Sequence, residues 1–312
     1  MEYNNEDSIR GITCQIMSVT KDDSGLSTSW QTRFFTNAVS MSGARKGICE
    51  IDGRTISLRA GSQSQTIEFD AINDITVGSP PEKLAGEFDD AFGIKFTAGG
   101  QSRICFLEYD ADRVEIFDYH IFEEIINGAR GVVEYGAVRG GQQTDASSSQ
   151  MKIAIEPERV GFNLKTGGEK EIALGDIVDM QAGKRTVGDT KRDVIKVDHM
   201  EDQTIITTFL SLVETRIQHL LNRYMGREFT KLQSEIADTE ISETETELVI
   251  GYYTTRDIEQ TMQTLTGGDK YEFESIYEEA LDHGLVTHPD DGVGLTQKGR
   301  MLANTEIEVV NT

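Results

Sequence analysis

The sequence predicts an α+β chain of three modules: two similar β-rich modules, each closed by a C-terminal helix, and a helical module at the end. Three observations carry this prediction. Residues 67–78, IEFDAINDITVG, match residues 172–183, IALGDIVDMQAG, without a gap, so one structural unit occurs twice. Beyond residue 241 the two-residue alternation of strands gives way to helical spacing. And 312 residues exceed the usual single domain of about 100 to 200, so several cores are expected.

The match extends upstream. Residues 51–58, IDGRTISL, lie over residues 155–162, IEPERVGF, two alternating runs each broken by a turn-forming triplet, so both copies open with a hairpin. Downstream, Ile94 and Phe96 followed by Ile104 and Phe106 parallel Ile195 and Val197 followed by Ile205 and Ile206. Alternation of this kind gives each sheet one buried face. Each copy then closes with an amphipathic helix: Val114, Phe117, Ile121 and Ile125 in the first, Val213, Ile217, Leu220, Leu221 and Tyr224 in the second. Spacings of three and four place one apolar stripe on each helix. Between the copies, residues 140–150, GGQQTDASSSQ, have almost nothing to bury and read as a linker. The expected boundaries are a first module at 1–135, a linker at 136–150, a second module at 151–235 and a helical module at 241–312.

The order of six or seven short antiparallel strands and a C-terminal helix resembles the pleckstrin-homology-like architecture. In the last module, helical patterns run over 248–253, 257–265 and 271–283, with Gly284 placed as a C-cap. Residues 285–287 and 293–296 flank the turn-rich tip 288–292, HPDDG, and a further helix starts at Gln297. Three helices, a β-wing and a final helix make the order of a winged helix-turn-helix.

Composition narrows the function. With 54 Asp and Glu against 30 Lys and Arg, the net charge of −24 exceeds what solubility needs and points to a proteome adapted to high salt. The acids form a solvated shell around periodic cores, and anionic partners such as nucleic acid or membranes are disfavoured. Residues 241–312 hold 15 Asp or Glu and 4 Lys or Arg, and the presumed recognition helix 271–283 has five acids and no Lys or Arg. A phosphate backbone would be repelled, so protein binding is the expectation there. Cys14, Cys49 and Cys105 form no CxxC pair, which argues against a zinc site or disulfide framework and for a reducing cytosol. Neither a signal peptide nor a membrane-spanning run is expected.

No phosphate-binding, dinucleotide, zincin or nucleophile-elbow motif is present, and no catalytic residue, cofactor or metal is assigned. His120, His199, His219, His283 and His288 lie far apart; His120 and His219 are expected on polar edges of the closing helices. Carboxylate pairs are too frequent in so acidic a chain to mark an acid/base dyad. Against this background Lys184, Arg185, Lys191 and Arg192 put four cations within nine residues, on the two sides of TVGDT. If the flanks pair as a hairpin, they form a positive tip suited to an acidic or phosphorylated partner; the plainer reading is a solvated hairpin that offsets nearby acids. Tyr271, Phe273 and Tyr277 supply aromatic positions on the acidic helix. Trp30, Phe34 and Phe35 read as core of the first module or as an exposed anchor.

The basic hairpin, the long second helix, and the acidic tail carrying LTQKGR at 295–300 together resemble the archaeal taxis protein family CheF. The resemblance implies an adaptor that links the response regulator CheY, in its phosphorylated form, to the switch proteins of the archaellum and relays a chemotaxis or phototaxis signal. It implies no enzyme, and a cytoplasmic protein recruited to the base of the archaellum. The acidic loop 80–90 is an alternative docking surface. Two other classes stand beside this one: a winged-helix transcription regulator with ligand-sensing β-modules, and a lipid-directed scaffold.

Overall fold

The computed structural model describes residues 20–22, 25–78, 80–88, 90–108, 111–187, 189–202, 204–287 and 294–310. Cys14 and the expected tip 288–292 lie outside them. The chain is α+β, with two antiparallel sheets and, among the described residues, six α-helices.

The first unit is a sheet of β1 (Thr20–Asp22), β2 (Gly25–Thr36), β3 (Arg45–Asp52), β4 (Thr55–Ala60), β5 (Gln63–Glu68), β6 (Ile72–Gly78), β7 (Ala91–Ala98) and β8 (Gln101–Glu108). Its strand order is β5-β4-β3-β2-β8-β7-β6, with β1 paired to β2. The second sheet contains β9 (Arg130–Arg139), β10 (Gln142–Gln143), β11 (Ser149–Glu156), β12 (Arg159–Leu164), β13 (Glu169–Ala173), β14 (Ile177–Val187), β15 (Thr190–Glu201) and β16 (Thr204–Leu212). Its order, β13-β12-β11-β9-β16-β15-β14, is that of the first sheet strand for strand. The repeat visible in sequence is a repeat of topology. Ile51 faces Ile56 in the first hairpin as Ile155 faces Val160 in the second, and a one-turn 3-10 helix occupies Phe69–Ala71 and again Leu174–Asp176.

Two expectations are corrected. The segment 136–150 is not a free linker. β9 runs to Arg139 and pairs with both β16 and β11 near the middle of the second sheet, so a boundary at 135 would cut a strand. Gly140 and Gly141, both at positive φ, turn the chain between β9 and β10, and Thr144 returns its hydroxyl to the Gly136 carbonyl at 2.7 Å. The polar composition belongs to a turn tied back to the sheet, with the Gly140 N–H on the Ile205 carbonyl and the Thr144 N–H on the Ala137 carbonyl. The helix after β8, α1 (Ala111–Ile126), also does not group with the first unit; from residue 112 the chain belongs to the second. Tyr119 donates to the Ile155 carbonyl at 3.3 Å, and the Phe122 ring lies 5.5 Å from that of Tyr224 in α2 (Thr215–Ala237). Ile121 and Ile125 are buried; the side chains of Val114 and Phe117 are outside the described set.

Along α2, Ile217, Leu220, Leu221 and Tyr224 form the expected buried stripe, whereas Val213 precedes the helix and is 71% exposed. The terminal helices are α3 (Glu243–Thr255), α4 (Ile258–Thr266), α5 (Lys270–Asp282) and α6 (Gln297–Val310). Ser242 and Glu245 form a capping box at α3, and Asp257 and Asp269 cap α4 and α5, satisfying the first backbone donors of each helix. Gly284, at φ 67°, ends α5 in the conformation that favours glycine. Val286 and Leu295 form one antiparallel bridge, and Leu248, Val249, Phe273, Leu285 and Leu302 fill the core. This module sits on the second sheet through α6: Asn304 donates to the Gly175 carbonyl at 3.3 Å and Arg300 approaches Asp176 at 3.8 Å.

Candidate partner-binding surface

β14 and β15 form the hairpin that the basic residues predict. Its register sets Lys184 opposite Asp193, Arg185 opposite Arg192, Thr186 opposite Lys191 and Val187 opposite Thr190. Directly opposed residues share a face and neighbours alternate, so the four cations do not make one tip. Lys184 and Lys191 are exposed on one face, where Lys184 meets Asp193 at 3.6 Å. Arg185 and Arg192 stand side by side on the other, half-buried.

The arginine face is the more constrained. The Arg185 guanidinium lies 3.9 Å over the Phe209 ring, and its Nε is 3.4 Å from Glu134 of β9. Val187, Val194, Ala137 and Phe209 make an apolar floor. The Nε atoms of both arginines are buried and make no hydrogen bond among the described residues. Like charges directly opposed across strands repel, and among the described residues the recorded ion pair is that of Arg185 with Glu134. The Arg185 fork is held over Phe209 with Arg192 directly across the hairpin, and planar guanidinium forks are suited to carboxylates and phosphates.

The aromatic positions on α5 separate. Tyr271 is 87% exposed, whereas Phe273 is buried in the helical core, and Tyr277 ties its hydroxyl to the Thr287 carbonyl at 2.9 Å. Of the three, Tyr271 is the exposed one, and Tyr277 is half-buried. In the first unit Phe34 is buried, and Phe35 lies half-buried against Leu84 and Phe88 from the 80–90 loop.

Sequence reasoning overlooked a cleft of about 450 Å³ where α3 and α6 meet the second sheet, lined by Tyr135, Asp176, His199, Tyr253, Arg256 and Arg300 among others. Its carboxylates are largely answered within the chain: Glu201 by Arg139 at 2.7 Å and Asp202 by Arg256 at 3.0 Å. Burial raises the Asp176 carboxyl above its ordinary value against the pull of Arg300. His120 and His199 are both buried, so His120 is not on a polar edge. His199 shares a 3.0 Å hydrogen bond with Thr208 and packs edge-on against Tyr135. A single histidine in a strand gives no periodic signal of such packing.

Burial depresses the His199 pKa from 6.5 to about 4, against the opposing pull of Glu201 and Asp198. The unfolded chain therefore takes up this proton near pH 6.5 and the folded chain only near pH 4. The contribution is complete above pH 7 and is lost as pH falls through that window, by about 2 kcal/mol at pH 5. Glu245 acts in the same direction: despite burial, the Ser242 backbone and hydroxyl and His283 hold its carboxyl below the ordinary range. Urea midpoints at pH 7 and pH 5 check the histidine share. His199→Gln is expected to flatten the difference between them, and an unchanged difference would remove His199 as its source.

Among the described residues no group of three or more His, Cys, Asp or Glu is placed to hold a metal ion, and no helix is long and apolar enough to cross a membrane. The fold and the hairpin together define an α+β protein of two like sheets and a terminal helical module, with two arginines opposed on one face of the hairpin. The pattern of the family described as "Archaeal Chemotaxis signal transduction system protein F" matches residues 52–231, more than half of the chain, and the chain belongs to that family. It is 26% identical over 266 residues to taxis protein CheF2 of Halobacterium salinarum, covering 85% of this chain and 91% of that one. Taxis protein CheF1 of the same organism is 23% identical over 199 residues, 63% of this chain and 67% of the relative. The chain is thus a member of a chemotaxis signal-transduction family.

Proposed function

We propose that the protein is a non-enzymatic adaptor in archaeal taxis, which binds the response regulator CheY and passes its state to the switch proteins of the archaellum in the cytoplasm. Family membership supplies the pathway. The observation that carries the binding role is the paired Arg185 and Arg192 face on an otherwise strongly acidic chain. The two β modules read as pleckstrin-homology-like and the terminal helices as a winged helix used for protein contact, in line with the acidic surface of α5 and its exposed Tyr271. For the relay to work, CheY must bind with different affinity in its phosphorylated and unphosphorylated forms, because a ligand shifts an equilibrium only through differential affinity.

A capture experiment at molar KCl tests this, with CheY plus or minus a phosphoryl analogue and with archaellum switch proteins as prey. Wild type is expected to retain both, and the variant with Lys184, Arg185, Lys191 and Arg192 all replaced by Ala is expected to lose CheY. Retention of neither prey by wild type would sink the adaptor reading. Specific retention of duplex DNA under the same conditions would favour a transcription regulator.

A further inference from the structure

The two sheets can be compared residue by residue, because their registers coincide. Ala91 faces Glu108 and Phe106 lies two residues earlier on β8; Val194 on β15 neighbours Ile195, which faces Leu210, and Phe209 precedes Leu210 on β16. Anchored on Ile51 over Ile155, Gly47 lies over Met151 and its partner Thr32 over Gly131, which carries Phe106 onto Phe209 and Ala91 onto Val194. This lies two residues or more away from the parallel of Ile94 with Ile195 and Phe106 with Ile206 that the sequence suggests. Phe35 faces Phe106 on one side and Glu134 faces Phe209 on the other, so these two also correspond.

In the first sheet this face is covered by the chain itself. The connection between β6 and β7 folds back, lays Leu84 and Phe88 against Ala91, Phe35 and Phe106, and brings Glu87 to Arg33 at 3.4 Å. The same Arg33 guanidinium lies 5.8 Å from the centre of the Phe88 ring. The covering segment thus supplies two apolar side chains and a carboxylate, and the sheet supplies an arginine. In the second sheet only two residues separate Val187 of β14 from Thr190 of β15, too few to fold back. The face over Phe209 instead carries Arg185 and Arg192, with Val187, Val194 and Ala137 beneath.

We infer that the Phe209 face of the second sheet is the seat of an extended segment of a partner protein that presents an apolar side chain next to a carboxylate, in the place that residues 84–88 occupy in the sister module. Charge complementarity fixes the class of occupant. Among the described residues the two opposed arginines have one recorded ion pair, Arg185 with Glu134, which leaves positive charge for the partner to answer. Val187, Val194, Ala137 and Phe209 are only 3–7% exposed, so the apolar side chain of the occupant packs on the arginine stems that cover them. In molar salt, where screening sets in at about 3 Å, such a contact-range pair keeps its worth while diffuse attraction is lost. The inference deepens the adaptor reading by naming what the partner offers to this face, and it rests on that reading for the identity of the partner.

The test uses the full chain and a fluorescein-labelled peptide of residues 79–90, SPPEKLAGEFDD, titrated in molar KCl and followed by anisotropy. Saturable binding is expected, weakened at least tenfold by the pair Arg185→Gln and Arg192→Gln, changed less than twofold by Lys184→Gln and Lys191→Gln on the opposite face, and lost when the leucine and phenylalanine of the peptide become alanine. Both protein variants alter partly exposed side chains, and their unfolding midpoints confirm that they fold. Absence of saturable binding to wild type, or equal binding by the two variants, would overturn the inference. CheY capture that persists without peptide binding removes this seat and keeps the adaptor; peptide binding without CheY capture keeps the seat and removes the adaptor.

Discussion

Gly299→Ala is expected to destabilise the terminal helical module by roughly 3 kcal/mol and to release α6 from its neighbours. In an ordinary helix the exchange of glycine for alanine gains about 1 kcal/mol, so sterics decide the sign here. A Cβ on Gly299 would stand 2.0 Å from the Leu285 carbonyl oxygen, a backbone atom that cannot rotate away. Forcing space into a packed core costs about 1 to 3 kcal/mol or more, and the shift would carry the buried Met301, Leu302 and Ala303 with it. Gly175→Ala strikes the other end of the same joint, since its Cβ would meet the Gln297 backbone at 2.5 Å. Gly183→Ala is the control: nothing lies within 4 Å of that position, and a change within about 0.5 kcal/mol is expected. Amide exchange along 297–307 reads the result, with faster exchange in Gly299→Ala and not in Gly183→Ala.

The second large effect concerns recognition. Removing Arg185 and Arg192 is expected to weaken CheY binding at least tenfold, about 1.4 kcal/mol or more, while removing Lys184 and Lys191 costs less than twofold. The reason lies in preparation. The Arg185 fork is held over Phe209 and beside Glu134 before any partner arrives, so less side-chain freedom is lost on binding. Lys184 and Lys191 are exposed, and exposed pairs contribute little, least of all in high salt.

Much of this was legible in the sequence because it rests on periodicity. The two-residue alternation around Ile51, Ile56, Ile155 and Val160 placed both opening hairpins, and the spacing of Ile217, Leu220, Leu221 and Tyr224 placed the buried face of α2. What sequence could not convey was partnership at a distance. The alternating residues of β9 were cut at 135 because the glycines after Arg139 resemble a linker, and only pairing with β11 and β16 shows them to be a turn. The grouping of α1 with the second unit depends on contacts from Tyr119 and Phe122 to residues far along the chain. The cluster of four cations was visible as composition; its division into a lysine face and an arginine face follows from a register that no local signal specifies. Phe273 and Tyr277 were grouped with Tyr271 by residue type, and packing alone separates them.

Titration of the full chain with CheY in molar KCl, in the presence and absence of a phosphoryl analogue, tests the adaptor role most directly. Binding at least tenfold tighter with the analogue, reduced to the unphosphorylated level by Arg185→Gln with Arg192→Gln, is the expected result. Equal affinity for the two forms of CheY would contradict it.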